Sequence, residues 1–151
     1  MCPAFFMLSA WGFQMTVTLT GGCLCGAVRY EYSGDIGPTG YCHCTDCRRC
    51  TGSAFNVGVC VATEEFRVVA GQLKGFTKKG DSGNELTRHF CIECGSPIYT
   101  SAPSAPATIF VKAGSVDNPA LVRPDHQKWT ASEVPWAFIE RDMPSTSRGK
   151  T

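Results

Sequence analysis

Eight cysteines stand in three tight runs: Cys23-Leu24-Cys25, then Cys42-His43-Cys44-Thr45-Asp46-Cys47-Arg48-Arg49-Cys50, then Cys91-Ile92-Glu93-Cys94-Gly95. Thiolates grouped in pairs and triplets suit a soft, tetrahedral ion such as Zn²⁺. The first and last runs each offer two sulfurs. Neither fills a tetrahedron, but together they make a four-sulfur site that ties the start of the domain to its second half. A closed Cys₄ site leaves no room for substrate and is expected to be structural. The middle run differs. Cys42, Cys44 and Cys47 supply three sulfurs and leave one coordination position open, which is the mark of a site that can act as a Lewis acid or hold an incoming thiol as thiolate. Cys50 lies at Cys-x-x-Cys spacing from Cys47, so it could close that site, be a spare thiol, or serve as a redox partner.

Neighbours of the middle run have readings of their own. Arg48 and Arg49 follow it directly and could bind the carboxylates of an anionic substrate, or be solvated surface charge. The surface reading is favoured for Arg49. His43 sits between two ligand positions and is expected to pack or hydrogen-bond rather than ligate. Cys60, in Val57-Gly58-Val59-Cys60-Val61, reads as a small buried residue. Gly95 after Cys94 reads as part of a zinc knuckle, since glycine accepts the positive φ that lets the turn close.

These side chains need a frame, and the pattern between them is one of short alternation. Ala27–Tyr32 puts Val28, Tyr30 and Tyr32 on one face, and 54–62 does the same with Phe55, Val57, Val59 and Val61. The stretches 65–69, 73–77, 86–91 and 108–112 look alike, each a period-two signal of a half-buried strand. Helical periodicity is confined to a turn or two near Cys47–Gly52. Gly80-Asp81-Ser82-Gly83-Asn84 is a hairpin turn, and 101–106 is an Ala/Pro/Ser loop. The expected class is mainly β, with short antiparallel strands.

The chain has 151 residues, 43% apolar and 18% charged, with a net charge of +1. That fits one domain with a real core and no basic footprint for nucleic acid. No stretch reads as a transmembrane segment. Residues 1–14 are apolar but lack the positive region of a signal peptide and are too short to span a bilayer. They are expected to be an upstream extension or a misplaced start, with the folded domain at 15–143 and a disordered polar tail at 144–151. Ten cysteines could also mean a disulfide scaffold, but Cys-x-Cys and Cys-x-x-Cys spacing favours chelation. Free thiolate ligands imply a reducing compartment, so a cytoplasmic location is expected. Spacing and composition leave the oligomeric state open.

The motifs together resemble the glutathione-dependent formaldehyde-activating (GFA) enzyme family. The resemblance rests on Gly21-Gly22-Cys23-Leu24-Cys25-Gly26, on Cys42-His43-Cys44-Thr45-Asp46-Cys47-Arg48-Arg49, on Thr51-Gly52-Ser53-Ala54-Phe55, and on His89-Phe90-Cys91-Ile92-Glu93-Cys94-Gly95-Ser96-Pro97. The region from Trp129 through Pro135-Trp136 also looks like that family's C-terminal part. The resemblance implies a zinc-stabilised β-tent fold with two Zn²⁺ per chain. It implies a structural zinc on Cys23, Cys25, Cys91 and Cys94, and a catalytic zinc on Cys42, Cys44 and Cys47. It further implies a carbon–sulfur lyase that joins formaldehyde to glutathione, with Arg48 helping to hold a glutathione carboxylate. The alternative is a non-catalytic zinc module that carries glutathione or binds a protein partner; a thiol redox sensor built on Cys44, Cys47 and Cys50 is the third reading.

Overall fold

The computed structural model describes residues 17–139 and 142–148. The expected extension over 1–14 lies outside them. Ten strands form two sheets. The smaller has the order β1 (Val17–Gly22), β2 (Arg29–Gly34), β5 (Phe66–Ala70). The larger runs β10 (His126–Lys128), β3 (Thr39–Cys42), β4 (Asn56–Ala62), β9 (Thr108–Lys112), β8 (Pro97–Ser101), β7 (Glu85–Cys91), β6 (Leu73–Lys79). Every neighbouring pair is antiparallel except β10 with β3, which is parallel. The expectation of a mainly β protein therefore holds, with one parallel edge pair added.

Alternation explains the smaller sheet. In β2, Tyr30 and Tyr32 are buried while Glu31 and Ser33 face solvent. Together with Leu19 and Val28 they pack on Val59, Val61, Ile98, Ile109 and Val111 of the larger sheet. Burying such apolar side chains stabilises the fold by about 1.5–3 kcal/mol each. Phe66 joins the layers, with its ring 5.2 Å from Tyr30 and 5.2 Å from Tyr99. Each buried tyrosine hydroxyl is bonded: Tyr30 to Ser115 Oγ at 2.9 Å, and Tyr32 donating to the Asp35 carbonyl at 2.6 Å.

β4 departs from the one-faced strand expected of it. Asn56, Gly58 and Cys60 are buried as well as Val59 and Val61. It is a central strand, covered on one side by the smaller sheet and on the other by the helix α1 (Thr45–Thr51). The hairpin at 80–84 joins β6 to β7 where the glycine spacing placed it, closed by the Gly80 N–H on the Asn84 carbonyl at 2.9 Å. Within the 144–151 stretch expected to be disordered, residues 144–147 make backbone bonds. Gln127 N–H donates to Pro144 O (2.9 Å), and Thr146 N–H returns to Gln127 O (3.0 Å). Thr130 and Ala131 N–H groups donate to Thr146 and Ser147. Unpaired donors and acceptors at the β10 edge gain partners this way. Among the described residues no helix is long and apolar enough to cross a membrane.

Candidate metal centres

All eight clustered cysteines are free thiols. Their sulfurs fall into two groups, Cys23/Cys25/Cys91/Cys94 and Cys42/Cys44/Cys47, and within each group they lie within 4.8 Å of one another. A tetrahedron of Zn–S bonds of about 2.3 Å puts its sulfurs about 3.8 Å apart. In the first group Cys23 and Cys25 are 3.4 Å apart and Cys25 and Cys91 are 3.9 Å apart. The donor set and its spacing therefore fit a thiophilic ion.

The first group is built from two facing turns. β1 ends at Gly22, and Cys23 and Cys25 lie in a tight turn beyond it. The Gly26 N–H closes it on the Cys23 carbonyl (3.1 Å), and the Val28 N–H donates to Cys23 Sγ at 3.2 Å. The opposing turn starts at Cys91, the last residue of β7, and closes with the Gly95 N–H on the Cys91 carbonyl at 2.9 Å. Both turns end on glycine with positive φ, +79° at Gly26 and +74° at Gly95. Only a residue without Cβ takes that backbone at no steric cost. Cys91 is fully buried in the core, and Cys23 and Cys94 pack against it.

Ser96 is the residue that spacing did not single out. Its Oγ accepts from the Leu24 N–H at 3.0 Å and lies 3.2 Å from Cys94 Sγ, so it pins one turn to the other. Its place directly after the knuckle glycine was the available signal. The Ser96 hydroxyl, followed by the backbone near Cys25, holds the Cys94 thiol down to about 5. Although the Ala27 backbone works the other way, hydrogen bonding with Cys23 and Cys94 pushes Cys25 up to about 12.

The second group sits where β3 hands over to α1. Cys42 ends the strand, and Cys44 caps the helix with extended backbone (φ −60°, ψ 152°). Its sulfur accepts from the N–H of Cys47, one turn on, at 3.4 Å. A capping side chain that satisfies an orphan N–H stabilises a short helix. Asp46 fastens α1 to the sheet, 2.6 Å from Lys78 Nζ and 3.6 Å from Arg88 Nη2. Hydrogen bonds from Cys42 and then Cys47 hold the Cys44 thiol down to about 2. The reciprocal interaction pushes Cys42 up to about 11, and Cys47 is pushed up by Cys42 and Cys44. One thiolate is thus solvated by two thiols, and a cation that displaces both protons lets all three sulfurs carry charge.

Cys50 lies on α1 three residues beyond Cys47 and stands outside this group. Arg48 is half-buried, and its Nε is buried without a hydrogen-bond partner. Arg49 is exposed. His43 is buried as expected, its Nε2 2.9 Å from Gln127 Oε1 and its N–H on the Lys128 carbonyl at 3.0 Å. Residues 130 and 133–138 line a surface cavity of about 360 Å³ that shares no lining residue with either cysteine group.

Two sheets carrying two thiol centres define a β-rich protein with metal-ligand geometry at both. Residues 18–132 match the family described as glutathione-dependent formaldehyde-activating enzyme, and the chain belongs to that family. A Halomonas elongata protein, provisionally named a glutathione-dependent formaldehyde-activating enzyme, is 28% identical over 133 residues, covering 81% of each chain. A crystal structure of a Rhodobacter sphaeroides protein superposes with a TM-score of 0.53 at 26% identity, covering 67% of this chain and 92% of that one.

Proposed function

We propose that the protein is a zinc-dependent carbon–sulfur lyase acting on S-(hydroxymethyl)glutathione or a related thiol–aldehyde adduct. The observation that carries this reading is the inequality of the two centres. Four sulfurs converge in one and three in the other, with Cys50 outside the second group. In this reading Cys23, Cys25, Cys91 and Cys94 hold a structural zinc, and Cys42, Cys44 and Cys47 hold the second. Zinc bound by three thiolates supplies a Lewis acid with one position free, suited to a thiolate or a carbonyl oxygen.

The chain's own residues then have defined tasks. Cys44 and Cys47 are locked by the helix start, so the three sulfurs present one fixed face. In this reading the half-buried Arg48, whose Nε has no hydrogen-bond partner, turns its guanidinium to a substrate carboxylate. In the synthetic direction the thiol sulfur adds to the carbonyl carbon of formaldehyde. An S–C bond forms, the carbon–oxygen π bond breaks, and the thiol proton ends on the oxygen; the lyase direction reverses each change. A thiol ligand and a reducing, cytoplasmic setting follow from the same reading. The test compares formaldehyde–glutathione adduct formation with no protein, with the wild type and with Cys44→Ser. A wild-type rate equal to the uncatalysed background overturns the lyase and leaves a zinc module that carries thiols.

A further inference from the structure

The sheet face beneath α1 gathers residues that lie far apart in sequence. Cys42 is paired with Asn56 across β3 and β4, and Gly58 with Lys112 across β4 and β9. Asn56 and Gly58 are two apart on β4 and share a face, so Cys42, Asn56 and Lys112 stand on one side of the sheet. Lys112 is only 6% exposed, and its Nζ donates to Asn56 Oδ1 at 2.9 Å. An ammonium has three donors, and among the described residues this one donates to a single neutral acceptor.

No carboxylate lies within ion-pair distance of Lys112 among the described residues. The acid that α1 brings to this face, Asp46, is engaged by Lys78 and Arg88. Burial pushes the Lys112 ammonium down, and the nearby sulfurs of Cys47, Cys50 and Cys42 oppose that push, with Arg88 adding to it. The chain's own sulfurs set negative charge near the ammonium but make no hydrogen bond to it among the described residues, so donors of Lys112 stay open beside the thiol centre.

We propose that Lys112, held in place by Asn56, receives a carboxylate of the thiol that binds at the Cys42/Cys44/Cys47 centre. The ligand class is thereby an acidic thiol, such as a cysteinyl peptide, rather than a neutral one. This assignment rests on the reading that the second centre takes a thiol, but it does not require turnover. A neutral thiol of similar reactivity lacks the group that Lys112 recognises and gains nothing from it.

The test uses zinc-loaded full-length protein: wild type, Lys112→Met and Asn56→Asp. Asn56→Asp keeps the ammonium but gives it an internal carboxylate. Equilibrium titration with glutathione and with 2-mercaptoethanol, without formaldehyde, is read beside zinc per chain. Both variants are expected to keep their zinc and to bind glutathione at least about tenfold more weakly, with 2-mercaptoethanol affinity changed less than about twofold. Unchanged glutathione affinity in Lys112→Met, an equal loss for both thiols, or loss of zinc from either variant overturns the proposal. A wild type that binds glutathione but does not speed adduct formation overturns the lyase reading alone, and the variant affinities still decide Lys112.

Discussion

Of the three Cys-x-x-Cys spacings in this chain, Cys91–Cys94 and Cys47–Cys50 meet different fates. Cys91 and Cys94 bracket a tight turn ended by Gly95, and both sulfurs join one four-thiol group. Cys47 and Cys50 lie inside α1, and only Cys47 joins the second group. In a helix, residues three apart rise about 4.5 Å along the axis and their side chains follow one face. In a knuckle, the chain doubles back and both sulfurs point into the loop. The surroundings diverge as well. The knuckles press on the apolar core through Cys91, whereas the second group lies among Asp46, Arg88 and Lys112. The same ligand atoms are thus set against the apolar core at one centre and near charged side chains at the other. Under the proposed function the first setting suits a permanent metal and the second suits exchange with a ligand.

The comparison breaks most visibly if the two centres lose metal with equal consequence. Cys91→Ser removes a buried ligand of the clamp. Structural zinc sites carry about 10–16 kcal/mol of apparent binding free energy, comparable to a whole domain's stability. The variant is expected to melt at least about 10 °C lower by circular dichroism, or not to fold. A shift under about 2 °C would remove the clamp reading. Cys44→Ser comes next. It is expected to lose one metal per chain and all adduct formation above background, while its melting temperature falls by less than about 5 °C. Should Cys44→Ser unfold like Cys91→Ser, the division between clamp and working centre is wrong.

Most strands were legible because their burial is one-sided, and one-sided burial writes alternation into the sequence, as Val28, Tyr30 and Tyr32 show. The division of the cysteines was legible for a related reason, since chelation by short turns demands close spacing. What stayed hidden depends on register. Nothing local to Lys112 or Asn56 marks them, because β4 pairing brings them beside Cys42 only in the assembled sheet. β10 is three residues of polar chain, and its parallel pairing with β3 leaves no apolar pattern to read. The turn at Cys23–Cys25 was also missed, because Cys-x-Cys fits extended and turned backbone equally well until the Gly26 N–H is seen to close on Cys23.

A milder perturbation separates the centres by access rather than by fold. A weak chelator is expected to strip the three-sulfur centre first, leaving one metal per chain by elemental analysis. In that species the rate of alkylation follows the thiolate fraction, which is present above the pKa and absent below it. Cys44 is held down to about 2, chiefly by the Cys42 and Cys47 hydrogen bonds, so its labelling by iodoacetamide should be nearly flat between about pH 5 and pH 8. Cys42 is pushed up to about 11 by Cys44, so its labelling should climb roughly tenfold per pH unit over the same range. Parallel pH profiles for the two residues, read by peptide mass spectrometry, would show that their sulfurs do not share protons as the geometry requires.

The smallest effect is expected at Cys50, and it is the sharpest test of the comparison. If helix geometry keeps Cys50 out of the metal shell, Cys50→Ser removes no ligand. Two metals per chain should persist, adduct formation should stay within about twofold, and stability should change by about 1 kcal/mol or less, as for a substitution away from any network. X-ray absorption at the zinc edge, on apo-protein given first one cadmium per chain to fill the tighter clamp and then zinc, should report three sulfurs and one light atom at the zinc. Loss of the second metal in Cys50→Ser, or four sulfurs in that spectrum, would mean that α1 unwinds on metallation to deliver the fourth thiol. The second centre would then be closed like the first, and identical spacing would have produced identical sites after all.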